Sequence, residues 1–132
     1  MTANAMQEEF LGGLESAGQI LSLFNWLPEA HLYMKDREGR FMAVNLASAR
    51  RNGFEDPADL IGKTDFDLHP PQMAAAYVEE DRKVMEGKRE IPEQIWLVYD
   101  YLGLQRWFVS TKIPLFGKKG EVVGIAGIMR PL

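Results

Sequence analysis

Apolar residues recur at three- and four-residue spacing from Met6 through Phe10, Leu14, Ala17, Leu21 and Phe24, which predicts an amphipathic helix over residues 5–24. Gly12, Gly13 and Gly18 weaken it by roughly 1 kcal/mol each relative to alanine, so it needs something to pack against. Asn25-Trp26-Leu27-Pro28 ends it, because the residue before a proline is pushed out of the helical region. The period then shortens. His31 to Lys35 and Phe41 to Asn45 read as two strands joined by the turn residues Asp36-Arg37-Glu38-Gly39. Asn45 is a suitable N-cap for a short helix, Leu46 to Arg51, stopped by Gly53. Asp56-Pro57 predicts a further turn of helix ending near Gly62, and Thr64 to His69 another. Pro70-Pro71 opens a longer helix to about Glu86, with Gly87 as its stop. Its apolar face is Met73, Tyr77, Val84 and the alanines; Glu79, Glu80, Arg82 and Lys83 read as the solvated side. Three strands close the chain: Glu93 to Tyr99, Arg106 to Pro114 and Glu121 to Arg130. The order predicts an α+β fold, a five-stranded antiparallel sheet with small helices on one face.

Composition narrows the class further. A chain of 132 residues, 46% hydrophobic and 26% charged, suits one globular domain. A net charge of −4 argues against the domain itself gripping nucleic acid. With no cysteine there is no disulfide, thiolate metal site or cysteine nucleophile. No apolar run reaches the roughly 20 residues of a membrane span, and no leader pattern is present, so a cytoplasmic location without membrane contact is expected.

An ordered set of short pieces then carries a resemblance. They are Lys35-Asp36-Arg37-Glu38-Gly39-Arg40-Phe41, Val44-Asn45, Gly53-Phe54 and Ile61-Gly62-Lys63-Thr64-Asp65-Phe66-Asp67-Leu68. Glu80-Asp81 with Val84-Met85, Thr111-Lys112-Ile113-Pro114-Leu115 and Gly124-Ile125-Ala126-Gly127 complete the set. From about residue 25 to 130 the chain resembles the PAS family, in the subgroup with Lys-Asp after the first strand and a Gly-Lys-Thr-Asp-Phe-Asp run. Pro70-Pro71, Gln94 to Val98 and Trp107 to Lys112 are more similar to one branch, the sensor half of AraC-type transcription regulators. The Asp-Ile-Thr that often closes such domains is missing.

The resemblance implies residues 1–24 as a helical cap or dimerisation element and 25–132 as the sensor domain. It implies signal transduction without catalysis. A small ligand or partner is sensed, and the signal passes to an output domain outside this chain, a helix-turn-helix regulator that would supply any DNA contact. The alternative is a dimerisation-only module of a histidine kinase or diguanylate cyclase. No clustered acid, base or metal set, nucleophile triad or nucleotide-binding glycine loop points to an enzyme.

Strand alternation under the family pattern puts Tyr33 and Lys35 inward on the first strand and Gln94, Trp96 and Val98 on the third. Phe108, Ser110 and Lys112 point inward on the fourth, and Ile125, Gly127 and Met129 on the fifth. All of these except Gln94 and Met129, together with Asp65, His69, Met73 and Tyr77, are the candidate ligand-pocket residues. Leu32, Met34, Trp107 and Val109 take the opposite face. That face is apolar too, so the N-terminal helix of this chain or of a dimer partner is the expected cover, and a homodimer is the consequence. The cofactor is not specified. Flavin-adduct sensors and coumarate photoreceptors of this family both need a cysteine, and Asp65 stands at the flavin cysteine's place. His69 could ligate haem axially, though a polar residue at a helix junction is the plainer reading. Two inward lysines cannot stay bare. Lys35 or Lys112 pairs with Asp65 or Asp67, or a small organic acid completes the pairing, or the lysines reach the cavity mouth. Glu79-Glu80-Asp81 is expected to face solvent.

Overall fold

The computed structural model describes residues 1–132. The five predicted strands form one antiparallel sheet: β1 (His31–Asp36), β2 (Phe41–Val44), β3 (Ile91–Tyr99), β4 (Gln105–Phe116) and β5 (Val122–Pro131), in the spatial order β2-β1-β5-β4-β3. The chain thus crosses from one half of the sheet to the other between β2 and β3, and the crossover carries the helices over one face. These are α3 (Leu46–Arg51), a 3-10 turn at Pro57–Leu60, α4 (Asp65–Leu68) and α5 (Pro71–Gly87).

Local chemistry sets these boundaries. Asn45 caps α3 by accepting from the Ser48 amide, and the Asp56 side chain accepts from Ala58 N ahead of Pro57. Thr64 and Asp67 form a reciprocal capping box on α4. The long helix runs one residue further than expected. Gly87 is its last helical residue, and Lys88, not a glycine, adopts the left-handed conformation at φ +53°. In β3 a bulge lies between Ile91 and Gln94, with Glu93 at φ +49° and its amide donating to Thr111 Oγ1.

The apolar core lies between sheet and helices and is built from Tyr33, Phe41, Val84, Val98, Phe108, Ile125 and Met129. Two glycines of β5 permit its tight packing. A Cβ at Gly124 would lie 2.0 Å from the Lys35 carbonyl oxygen, and one at Gly127 would lie 2.3 Å from the Tyr33 ring.

The N-terminal expectation needs correction. The predicted helix over 5–24 is broken into α1 (Ala3–Gly12), α2 (Gly18–Leu21) and a 3-10 turn at Ser22–Trp26. Neither helix buries a residue, and Phe10, Leu11, Leu23 and Trp26 are exposed. The glycines break the helix because no packing within the chain offsets their cost. The outer sheet face is apolar as expected, with Ile95, Trp107, Ile113 and Ile128 exposed on it.

Candidate functional site

Four elements meet beneath the helical layer in a chain of buried charges. Lys35 of β1 donates to Asp65 Oδ2 of α4 at 2.5 Å and to Asp81 Oδ2 of α5 at 2.8 Å. Lys112 of β4 donates to Asp81 Oδ1 at 2.7 Å and lies 3.2 Å from Glu80 Oε1. Lys35, Lys112, Asp65 and Asp81 are each buried, so Asp81 divides its two oxygens between two enclosed ammonium groups. Burial opposes the charge on Lys35, but Asp81 and Asp65 outweigh it and hold the ammonium above the usual lysine range. Burial also opposes the charge on Lys112. Tyr33, Asp81 and Glu80 outweigh it; since burial keeps the Tyr33 phenol protonated, the carboxylates carry the effect at neutral pH.

A cavity of about 30 Å³ adjoins this network, room for roughly two waters. Arg51, the last residue of α3, also lines it. Its Nε donates to His31 Nδ1 at 3.1 Å and its Nη1 to the Tyr99 carbonyl at 3.2 Å. No carboxylate comes within 4.0 Å of the guanidinium. Burial lowers its pKa, but an arginine starts so high that it stays charged. The Tyr77 hydroxyl is buried in the same wall with no hydrogen-bond partner. Its ring packs edge-on to His69 at 5.3 Å and tilted against Trp96 at 5.2 Å.

Residues 24–132 match the sequence profile described as the PAS fold. The chain belongs to the PAS family. A methanogenesis regulatory histidine kinase, FilI of Methanothrix harundinacea, is 30% identical to this PAS domain over 94% of the chain, which spans only 14% of that kinase. The Vibrio cholerae VqmA dimer matches at a TM-score of 0.75 and 28% identity, over 89% of this chain and 52% of that one. VqmA bound to DPO matches at a TM-score of 0.74 and 28% identity, over 89% and 58%. The PAS domain of Bordetella pertussis BvgS, at 23% identity and a TM-score of 0.71 over 87% and 85%, supports the fold alone. The PAS domain therefore covers about half the length of the VqmA chains and a seventh of FilI. No helix is long and apolar enough to cross a membrane.

The expected pocket residues divide into two groups. Tyr33, Lys35, Asp65, His69, Tyr77, Trp96, Ser110 and Lys112 line the cavity, together with Met129. Val98, Phe108 and Ile125 do not; their side chains fill the apolar core instead. Gly127 has no side chain to offer, and the Tyr33 ring occupies its face. Met73 sits beside the inward stripe of α5, which is Ala74, Tyr77, Asp81 and Val84. Gln94 is exposed and donates to the Pro92 carbonyl.

Two expectations about charge also change. Asp81 is buried, where solvent was expected, because it falls on that stripe. Asp67 takes no part in the ion network, since its carboxylate is used in the α4 cap. Of the alternatives for the lysines, Lys35 does pair with Asp65, and both lysines are engaged by this chain's own carboxylates and do not reach the cavity mouth. Sequence reasoning missed Arg51, Ser48, Asn52 and Phe41 as lining residues. Spacing could have placed Asp81, four residues after Tyr77 and three before Val84. Nothing local marks Arg51. Haem does not fit: His69 is packed against Tyr77, and the cavity is far smaller than a porphyrin.

The two histidines make stability depend on pH. Burial, with Arg51 nearby, lowers His31 and His69 from 6.5 to about 4. Between these values the unfolded chain binds more protons than the native one, so their contribution is complete above pH 6.5 and lost as pH falls towards 4. Urea titrations across that range are expected to show declining stability, with a shallower decline for His31→Gln. An equal slope in the variant would remove His31 from this account.

Proposed function

We propose that this PAS domain is a non-enzymatic cytoplasmic sensor that holds a small ligand in its interior chamber and passes the signal to a helix-turn-helix transcription regulator. The observation that carries this is a chamber lined by a guanidinium without a carboxylate and a phenol without a partner, which a polar guest would satisfy. VqmA, a LuxR-type receptor described with DPO and with DNA, supports the output class. The resemblance to AraC-type regulators points to the same output through another branch. The similarity to FilI favours a second reading, a sensor module of a histidine kinase. Native mass spectrometry of protein purified gently from cells is expected to show an added small mass released on activation. A bare polypeptide mass that no metabolite extract changes would defeat the ligand reading.

Homodimerisation is part of the same proposal. The exposed Phe10, Leu11, Leu23 and Trp26 and the apolar outer sheet face are complementary surfaces, each lacking cover within one chain. Removing residues 1–16 is expected to convert a dimer into a monomer or an aggregating protein by light scattering. A stable dimer after the deletion would remove α1 from the interface.

A further inference from the structure

The chamber's charges also bear on the chemical class of its guest, an inference that rests on the ligand-sensing reading. Three cations, Lys35, Lys112 and Arg51, and one carboxylate, Asp65, line the chamber; Asp81 and Glu80 pair with the lysines from outside its lining. These charges are not evenly placed. All three carboxylates gather on the two lysines, whereas Arg51 has only neutral acceptors, His31 Nδ1 and the Tyr99 carbonyl. A guanidinium has five N–H donors, and two hydrogen bonds leave much of its fork free. Tyr77 adds a buried O–H with nothing to receive it.

We infer that the chamber takes a small carboxylic acid, bound as its anion with the carboxylate between the Arg51 guanidinium and the Tyr77 hydroxyl. The planar fork suits a carboxylate better than any neutral group, and a partner there compensates a charge otherwise held in poor solvent. The lysine end cannot take the anion, because its ammonium groups already face three carboxylates that would repel another. The volume of about 30 Å³ limits the acid to about two to four carbon atoms, entering where water would otherwise sit.

The test monitors the Arg51 Nε–H and Trp96 indole N–H resonances of the full chain during titration with acetate, propionate and pyruvate, and with acetamide and propionamide. The acids are expected to shift both signals saturably, and each amide to bind its matched site roughly tenfold or more weakly. Arg51→Met is expected to abolish that preference, and Tyr77→Phe, which keeps the ring packing, to weaken acid binding several-fold. Arg51→Lys keeps the charge without the fork and should recover part of the affinity. Amides binding as tightly as acids would overturn the inference while leaving a ligand chamber in place. So would an unchanged acid affinity in both Arg51→Met and Tyr77→Phe. If no acid or amide moves either signal, the inference falls; a metabolite retained in the mass spectrum would then still uphold the chamber.

Discussion

Replacing Asp81 with alanine is expected to cost the domain about 3–5 kcal/mol, the scale for removing one partner from a buried ion pair. The carboxylate is 4% exposed and bridges Lys35 to Lys112. Without it Lys112 keeps only Glu80 at 3.2 Å, Lys35 keeps only Asp65, and both ammonium groups remain enclosed. The bridge also fastens α5 to β1 and β4, so its loss loosens a helix as well as unbalancing charge. Urea denaturation is the measurement, and a lower midpoint at constant slope is the expected signature. The combined variant Lys35→Met, Asp65→Leu, Glu80→Gln, Asp81→Leu, Lys112→Met, which removes every charge of the network together, is expected to regain most of the lost stability, because neutral groups of similar volume leave no buried charge unpaired. A loss below about 1 kcal/mol in Asp81→Ala would mean that the lysines escape to solvent and that the network is not a structural clamp.

Asp81 escapes a reading of the sequence for a physical reason. It lies among Glu79, Glu80, Arg82 and Lys83, a run that looks like a solvated helix face, and Arg82 does bind Glu79 and Glu86 there. Its lysine partners are 46 and 31 residues away, so no local pattern joins them. No helical spacing points to Arg51 as it does to Asp81, so Arg51 is more silent still. It comes after Arg50 at the end of a short helix, where cations commonly favour the helix dipole, and only the fold brings His31 and Tyr99 to it. What could be read depended on short-range chemistry. Strand alternation, placed in register by the family resemblance, gave the inward direction of Tyr33, Lys35, Ser110 and Lys112, and cap residues marked the starts of α3 and of the 3-10 turn at Pro57–Leu60. The N-terminal periodicity was legible as well. Its continuity was not, because the glycines there break a helix that nothing in the same chain supports.

Asn45 is legible as a cap, yet its larger role is tertiary, and Asn45→Ala is expected to cost about 3 kcal/mol, well above the ~1 kcal/mol of an ordinary cap. Its Oδ1 accepts from Ser48 N at 3.1 Å and from Leu32 N at 3.0 Å, while its Nδ2 donates to the carbonyls of Phe24 at 2.9 Å and Ala30 at 2.7 Å. At 1% exposure the side chain admits no water to replace these bonds. Truncation would therefore orphan the Leu32 amide of β1 and release the chain entering the sheet. The neighbouring Leu46 amide donates to Asn25 Oδ1 at 2.8 Å, so the hydrogen bonds tying residues 1–26 to the domain past Leu27 both come from the start of α3. The same helix ends at Arg51 in the chamber wall. A six-residue helix with the chamber at one end and the N-terminal segment at the other is a short mechanical route between them. Asn45→Ala is expected to raise hydrogen exchange of the amides in α2 and the adjoining 3-10 turn while the Lys35–Asp81–Lys112 bridge persists. Unchanged exchange there would show that packing alone, without Asn45, holds the N-terminal segment in place.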